Sequence, residues 1–330
     1  MERNERIVVS DNSNIDDLRN RYPGGLRLVV GDTHGQADTL KALMNAVKFD
    51  PDKDHVYFVG DYNGEGNVQA LLEYMARYFQ ADYSRPGFHM IRGNHERELW
   101  PVYEMENLPD ILVLREKHMN YYIAHAGMVA PAFDLINADM AGQPDRTVFA
   151  YRLDSRLVRE DGLLRQVIWS RNGLYSQRSY WRNWPSEENL ARNRACIIHG
   201  HSPYCFFVKE KYFTYGHENL FWKNQHIFFA QDLQSFNVDA NVKGRYANGE
   251  CHRSLSCVCL EILEEIAAEN QGRLTLEGVK NAPNFVFSAD LTYGLPPWGG
   301  GDVCAITDAL PEAKFITLDA RGCLTIPKMR

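Results

Sequence analysis

Val29-Val30-Gly31-Asp32-Thr33-His34-Gly35-Gln36 is the stretch from which the rest of this chain can be read. The mostly apolar run over residues 26–30 has the length and composition of a buried strand. It ends at a glycine, and Asp32 and His34 follow two positions apart. Strand-end loops of α/β proteins carry chemistry because the sheet holds them rigid while solvent still reaches them. Alternating in an extended segment, Asp32 and His34 can face one space. A carboxylate and an imidazole there suit a borderline divalent cation. Alone, such a pair is also what a turn or cap looks like, so its weight comes from later stretches of the same design.

Two such stretches follow. After Gly35, Leu40, Leu43, Met44 and Val47 recur at helical spacing. His55-Val-Tyr-Phe-Val59 reads as a strand, Gly60-Asp-Tyr-Asn-Gly-Glu-Gly66 as its loop, and residues 67–79 as a helix with Leu71, Leu72, Met75 and Phe79 on one side. Phe88-His-Met-Ile91 is the third strand, followed by Arg92-Gly-Asn-His-Glu96 and a short helix toward Glu106. Strand, polar loop and helix, three times over, imply βαβ connections whose loops leave one edge of a sheet. Beyond them, Ile111-Leu-Val-Leu114 and Tyr121-Tyr-Ile-Ala124 suggest a hairpin, the second strand ending at His125. Residues 131–140 read as a helix and 141–166 as polar and partly helical. Ala195-Cys-Ile-Ile198 is a buried strand running into His199-Gly-His201. The aromatic stretch 204–229 is read as strands and a loop above that end, and 179–193 as a surface segment. Residues 235–239 and 255–262 read as two more strands. After Glu264 the character changes, with strand-like runs at 273–276, 284–287 and 315–318. The expected division is therefore a polar lead-in over 1–24, a main domain over 25–264 and a β-rich extension over 265–330.

Composition excludes several classes. The formal net charge of -7 argues against a broad nucleic-acid or membrane-surface role. No apolar run approaches the ~18 residues of a membrane span. Residues 1–20 have no signal-peptide core, and the seven cysteines, all from Cys196 onward, lack regular spacing. Reduced thiols and a cytoplasmic location are expected; Cys257-x-Cys259, in an apolar run, is read as packing.

The chemistry-bearing residues are Asp32, His34, Asp61, Asn94, His95, His125 and His201, each at or just beyond a strand-like run. Carboxylates, imidazoles and one amide without a thiolate suit Mn, Fe or Zn better than a closed zinc site. Gly31-Asp-Thr-His-Gly35, Gly60-Asp61, Gly93-Asn-His-Glu96, His125-Ala-Gly127 and Gly200-His201, in this order, resemble the phosphoprotein phosphatase family of calcineurin-like metallophosphoesterases. Trp169-Ser-Arg171 is similar to a tryptophan-arginine segment of its bacterial members, and Phe236-Asn-Val-Asp239 to their late strand. The resemblance covers about residues 26–262.

It implies an α/β fold with a central β-sandwich flanked by helices, and a site of two divalent metal ions, Mn2+ first, with Fe or Zn as alternatives. Asp32, His34 and Asp61 would hold the first ion. Asp61 would bridge to a second ion held by Asn94, His125 and His201. A metal-bridging hydroxide would attack phosphorus directly, with phosphate bound by Arg171 and Asn94 and the leaving oxygen protonated by His95. The implied partner is a phosphorylated protein or peptide. For Arg171 a surface salt bridge competes with the phosphate clamp. Arg92 is read as a structural ion pair, and His199 as a supporting residue rather than a ligand.

The chain departs from the family's usual Gly-Asp-x-Val-Asp-Arg-Gly, placing Gly64 and Glu65 where Asp and Arg stand. Another carboxylate, Glu65 or Glu96, is then expected to orient His95, and the site to lack one cationic wall. A wider cleft keeps two alternatives open: hydrolysis of dinucleoside polyphosphates or nucleotides, and a catalytically impaired metal-binding protein.

Overall fold

The computed structural model describes residues 7–9, 14–64, 66–96, 105–154, 167, 184–201, 220–223, 227–232, 234–240, 253–291, 313–321 and 323–327. Two strand-loop-helix units and a third strand with its loop form its frame; most of the short helix expected after Glu96 falls on residues 97–104, outside the described residues. Strands β2 (Arg27–Val30), β3 (His55–Phe58) and β4 (Gly87–Met90) pair in parallel, with Arg27 opposite His55 and Phe58 opposite Met90. Parallel neighbours need crossovers, supplied here by helices α2 (Ala37–Ala46) and α3 (Val68–Ala76). Helix α2 buries Leu40, Leu43 and Met44, and α3 buries Leu71, Leu72 and Met75. Asn67 caps α3 by accepting the Ala70 N–H at 3.0 Å.

The sheet is completed by β12 (Arg253–Cys259) antiparallel to β2, then β13 (Val286–Leu291) and β1 (Ile7–Val9), in the order β1-β13-β12-β2-β3-β4. A second sheet of nine strands packs on it. Its members are β5 (Ile111–Arg115), β6 (Asn120–Ala124), β7 (Thr147–Leu153), β8 (Ala195–His199), β9 (Leu220–Lys223), β10 (Ile227–Ala230), β11 (Ser235–Asn237), β14 (Lys314–Leu318) and β15 (Leu324–Thr325). They run β15-β14-β7-β5-β6-β8-β11-β10-β9. Along β5, Leu112 and Leu114 enter the core between the sheets. Ile111 and Val113 enter a second core with Phe133 and Ile136 of helix α4 (Ala130–Met140). Strands β6 and β8 alternate in the same way. Burial on both faces explains why these strands read as continuous apolar runs.

Several expectations are corrected. Within 141–166, the described residues 141–154 hold a strand, β7, whose Val148-Phe-Ala-Tyr pairs antiparallel with β5, as aromatic and β-branched residues favour; the partly helical reading of 155–166 falls outside the described residues. The strand expected over 255–262 ends at Cys259, where a helix, Leu260–Glu269, starts and buries Leu260, Leu263, Ile266 and Ala267. The boundary at 264 therefore falls inside a helix. Residues 273–276 form no strand; Thr275 caps the helix Leu276–Asn281 by accepting the Gly278 N–H at 3.0 Å. The described parts of 265–330 are not an appendage, since β13 lies between β1 and β12 and β14 runs parallel to β7. The described part of the lead-in, residues 7–9 and 14–24, is structured too. Helix α1 (Ile15–Arg21) buries Ile15 and Leu18, and Arg19 grips the fully buried Asp54 at 2.6 and 2.7 Å. Within 204–229, residues 220–223 and 227–229 belong to strands β9 and β10, in keeping with the strand reading, and the remainder of the stretch falls outside the described residues. Trp184 and Leu190, expected on a surface segment, are buried. Cys257 and Cys259 are free, buried and packed opposite Val30 and Leu28. No helix among the described residues is long and apolar enough to cross a membrane.

His89, fully buried on β4, stacks on His55 and Tyr57 at ring distances of 5.4 and 5.0 Å. Its Nδ1–H donates to Gln80 O at 3.3 Å, and its Nε2 lies 3.1 Å from His55 Nδ1. Burial, then the neighbouring His55, push its pKa down to about 3. The unfolded chain therefore binds this proton between the ordinary imidazole pKa of about 6.5 and that value, while the folded chain does not. Stability is full above about pH 6.5 and falls as pH drops, by roughly 3 kcal/mol from this group on reaching pH 4. The urea midpoint measured from pH 7 to 4 should fall less steeply for His89→Phe than for the native protein. Equal slopes would remove His89 as the cause.

Candidate metal centre

The parallel order of β2, β3 and β4 brings their following loops to one edge of the first sheet. In the second sheet, β6 and β8 are parallel, with Asn120 opposite Ala195 and Ile123 opposite Ile198, so their loops also leave together. The two edges meet. His125 Nδ1–H donates to Val59 O at 2.9 Å, and the His201 N–H reaches the Asp32 carboxylate at 3.0 and 3.2 Å. This close approach requires Gly200, where a Cβ would lie 1.9 Å from Asp32 Oδ1. Of the eight described non-glycine residues at positive φ, three are His34 (44°), Asp61 (55°) and His201 (69°). Left-handed backbone costs about 1–3 kcal/mol per such residue and concentrates where geometry is imposed for function.

Asp61 stands at the middle. Its Oδ2 is 3.9 Å from His34 Nε2 and 3.8 Å from His95 Nε2, and its Oδ1 is 3.3 Å from His125 Nε2. Ligand atoms of His34, Asp61 and His95 form one group within 4.8 Å of each other, and those of Asp61, His125 and His201 form another. Asp32 Oδ2 lies 3.9 Å from His34 Nε2. His125 Nε2 is also 2.8 Å from Asn94 Oδ1 and 3.0 Å from His201 Nδ1. One imidazole nitrogen holds one proton or one lone pair, so it cannot satisfy three such neighbours; a cation among them can. His34 and His125 both give Nδ1–H to backbone carbonyls, Asn63 O at 3.1 Å and Val59 O, which leaves their Nε2 lone pairs for a cation. The residues present therefore fit divalent metal ions.

The charge balance agrees. Burial alone would raise the Asp61 carboxyl, but His125, then His95 and His34, hold it well below the usual range. Burial and the nearby Asp239 push Asp32 well above it. Burial disfavours charge on His125, yet Asp61 and Asp32 lift its pKa to about 10. Without ions, a proton on His125 supplies the positive charge that the buried carboxylates demand.

All seven chemistry-bearing residues are buried and brought together. Arg171 and Glu65 lie outside the described residues. Glu96 is corrected in role: its carboxylate accepts backbone N–H groups of Asp61, Tyr62, Asn63 and Gly93, not the His95 ring. Gly64 is more than a lost carboxylate, since a Cβ there would meet His34 Cβ at 2.6 Å and Nδ1 at 2.9 Å. His199 donates from Nδ1 to Gly200 O at 3.2 Å and meets the edge of Trp184. Burial pushes it down to about 4, and it stands apart from the two ligand groups. Arg92 is indeed a structural ion pair, with Asp110. Asp239 was missed. It follows β11, which is parallel to β8, so its place at a strand end was the available signal.

A two-sheet sandwich with candidate metal ligands at five strand ends is an arrangement suited to metal-dependent hydrolysis. The calcineurin-like phosphoesterase profile matches residues 27–240, more than half of the 330 residues. The chain belongs to that family.

The similar curated proteins include a symmetrical bis(5'-nucleosyl)-tetraphosphatase of Serratia proteamaculans (strain 568). It is 36% identical over 77 residues, which is 23% of this chain and 25% of that one. A protein of the same description from Actinobacillus succinogenes is 26% identical over 160 residues, covering 43% and 58%. The chain thus spans between a quarter and about three-fifths of these relatives' lengths. A Saccharomyces cerevisiae protein serine/threonine phosphatase structure aligns with TM-score 0.39 and 17% identity, over 75% of this chain and 80% of that one.

Proposed function

We propose that this protein is a two-metal phosphatase that hydrolyses phosphomonoesters, with phosphoproteins as its substrate class. The observation that carries this reading is Asp61, shared by two buried ligand groups. A shared carboxylate offsets the repulsion of two cations about 3.5–4 Å apart. Bound there, the ions would supply Lewis acidity toward phosphoryl oxygens and lower the pKa of water. Asp32, His34 and Asp61 would hold one, and Asp61, Asn94, His125 and His201 the other. The buried Nδ2 of Asn94 has no hydrogen-bond acceptor among the described residues, which suits a phosphate oxygen arriving with substrate. Arg171 is assigned to phosphate and His95 to the leaving oxygen, as its proton donor.

The reading that these residues hydrolyse dinucleoside polyphosphates is favoured by the curated relatives, described as symmetrical tetraphosphatases. With Mn2+ present, p-nitrophenyl phosphate and phosphoserine, phosphothreonine and phosphotyrosine peptides are expected to turn over faster than diadenosine tetraphosphate. The reverse order selects the second reading. No turnover despite bound metal selects a non-catalytic protein. For His95→Asn, alkyl phosphates should slow by about 10²–10³-fold and p-nitrophenyl phosphate far less, because a good leaving group needs no proton. Equal slowing would exclude His95 as the acid.

A further inference from the structure

Glu96 is 1% exposed, and its carboxylate is bonded from two loops at once. Oε2 accepts the Asp61 N–H at 2.9 Å and the Gly93 N–H at 3.0 Å. Oε1 accepts the Tyr62 N–H at 2.7 Å and the Asn63 N–H at 3.0 Å. Three consecutive amides turned onto one carboxylate form a nest, a backbone shape that needs an anion to be stable. Its first residue is Asp61, held at φ 55°. Two more bonds tie the same loops: Tyr62 Oη–H donates to Ile91 O at 2.8 Å, and the His95 N–H donates to Asp61 Oδ1 at 3.0 Å. The loops are in contact, for a Cβ on Gly93 would lie 2.3 Å from Asp61 Oδ1 and 3.0 Å from Glu96 Oε2.

We infer that Glu96 is a positioning residue that sets the bridging carboxylate, and so decides whether the protein holds one metal ion or two. The inference rests on the two-metal reading above. Asp61 must reach His34 and His95 with one oxygen and His125 with the other. That reach is set by the backbone of Asp61, which Glu96 clamps through the residue's own N–H. Without the nest's anion, the strained Asp61 backbone has an easier conformation to relax into, and the carboxylate swings off the line between the two groups. Ligands such as His125, whose Nδ1–H is fixed by Val59 O, keep their own geometry.

The experiment is Mn2+ titration of the native chain and of Glu96→Gln, followed by calorimetry and by electron paramagnetic resonance. Two Mn2+ sharing Asp61 give an exchange-coupled spectrum, which a general loss of stability does not erase in protein that remains folded. The native chain should bind two Mn2+ with that spectrum. Glu96→Gln should bind one at near-native affinity, hold the second about 10–100-fold more weakly, and lose the coupled signal while far-ultraviolet circular dichroism is unchanged. Glu96→Asp keeps the charge on a shorter arm and should lie between. It carries the test if the glutamine variant does not fold. Two coupled Mn2+ at native affinities in the variants would overturn the positioning role alone. A native chain that binds no coupled pair would overturn the two-metal reading instead.

Discussion

Asp61→Asn should lower Mn2+-supported hydrolysis of p-nitrophenyl phosphate by about 10³-fold or more. The substitution changes little in shape. Its amide oxygen can still accept the His95 N–H, as Asp61 Oδ1 does at 3.0 Å, so the fold should survive. What disappears is a full negative charge and one of two bridging oxygens, at the point shared by both ligand groups. Two cations left without that charge repel strongly in a buried, low-dielectric space. The new amide would also turn an N–H₂ donor toward either His125 or the His34–His95 side, where a cation belongs. Metal content by mass spectrometry should fall to at most one ion per chain. Retention of two ions and of turnover within tenfold of the native protein would mean that Asp61 is not a bridge.

Arg92→Met should cost about 3–5 kcal/mol, seen as a large drop in the urea midpoint, because it removes the guanidinium charge that faces a buried carboxylate. Arg92 Nε and Nη2 reach Asp110 Oδ1 and Oδ2 at 3.0 and 2.9 Å, and the two side chains are 7% and 0% exposed. Asp110 also accepts the Leu153 N–H at 2.7 Å, and the Arg92 N–H donates to Pro109 O at 2.8 Å. The pair therefore pins the loop that carries Asn94 and His95 to strands β5 and β7 of the other sheet. Asp110→Leu added to Arg92→Met removes both charges and should recover much of the lost stability. If the double variant is no better than the single, the loss of the Arg92 charge beside Asp110 is not the source of the cost.

The candidate ligand positions were readable because each follows a local signature, an apolar run ending in a short polar loop. Parallel pairing then carries those loops to one edge without further information. Glu96 illustrates the limit. Its place two residues after Asn94 suggested a partner for His95, yet three of its four partners lie 33 to 35 residues away. Nothing in a local pattern says which amides will turn toward a buried carboxylate. Leu260 shows a second limit: Leu255 to Ile262 is apolar enough to extend as a strand. The helix is chosen because Leu263, Ile266 and Ala267 can also be buried from it.

From residues alone came the strands β2, β3 and β4 with their loops, the helices α2 and α3, and the candidate ligands, since these depend on neighbours in the chain. The folded protein alone decided that β13 enters the first sheet and β14 the second, and that Gly64 lies against His34. It also decided that one carboxylate, Asp61, stands between two ligand groups. Edge choice, close approach and shared ligation are relations between distant segments. Their energies are settled by packing in three dimensions, which periodicity along the chain does not encode.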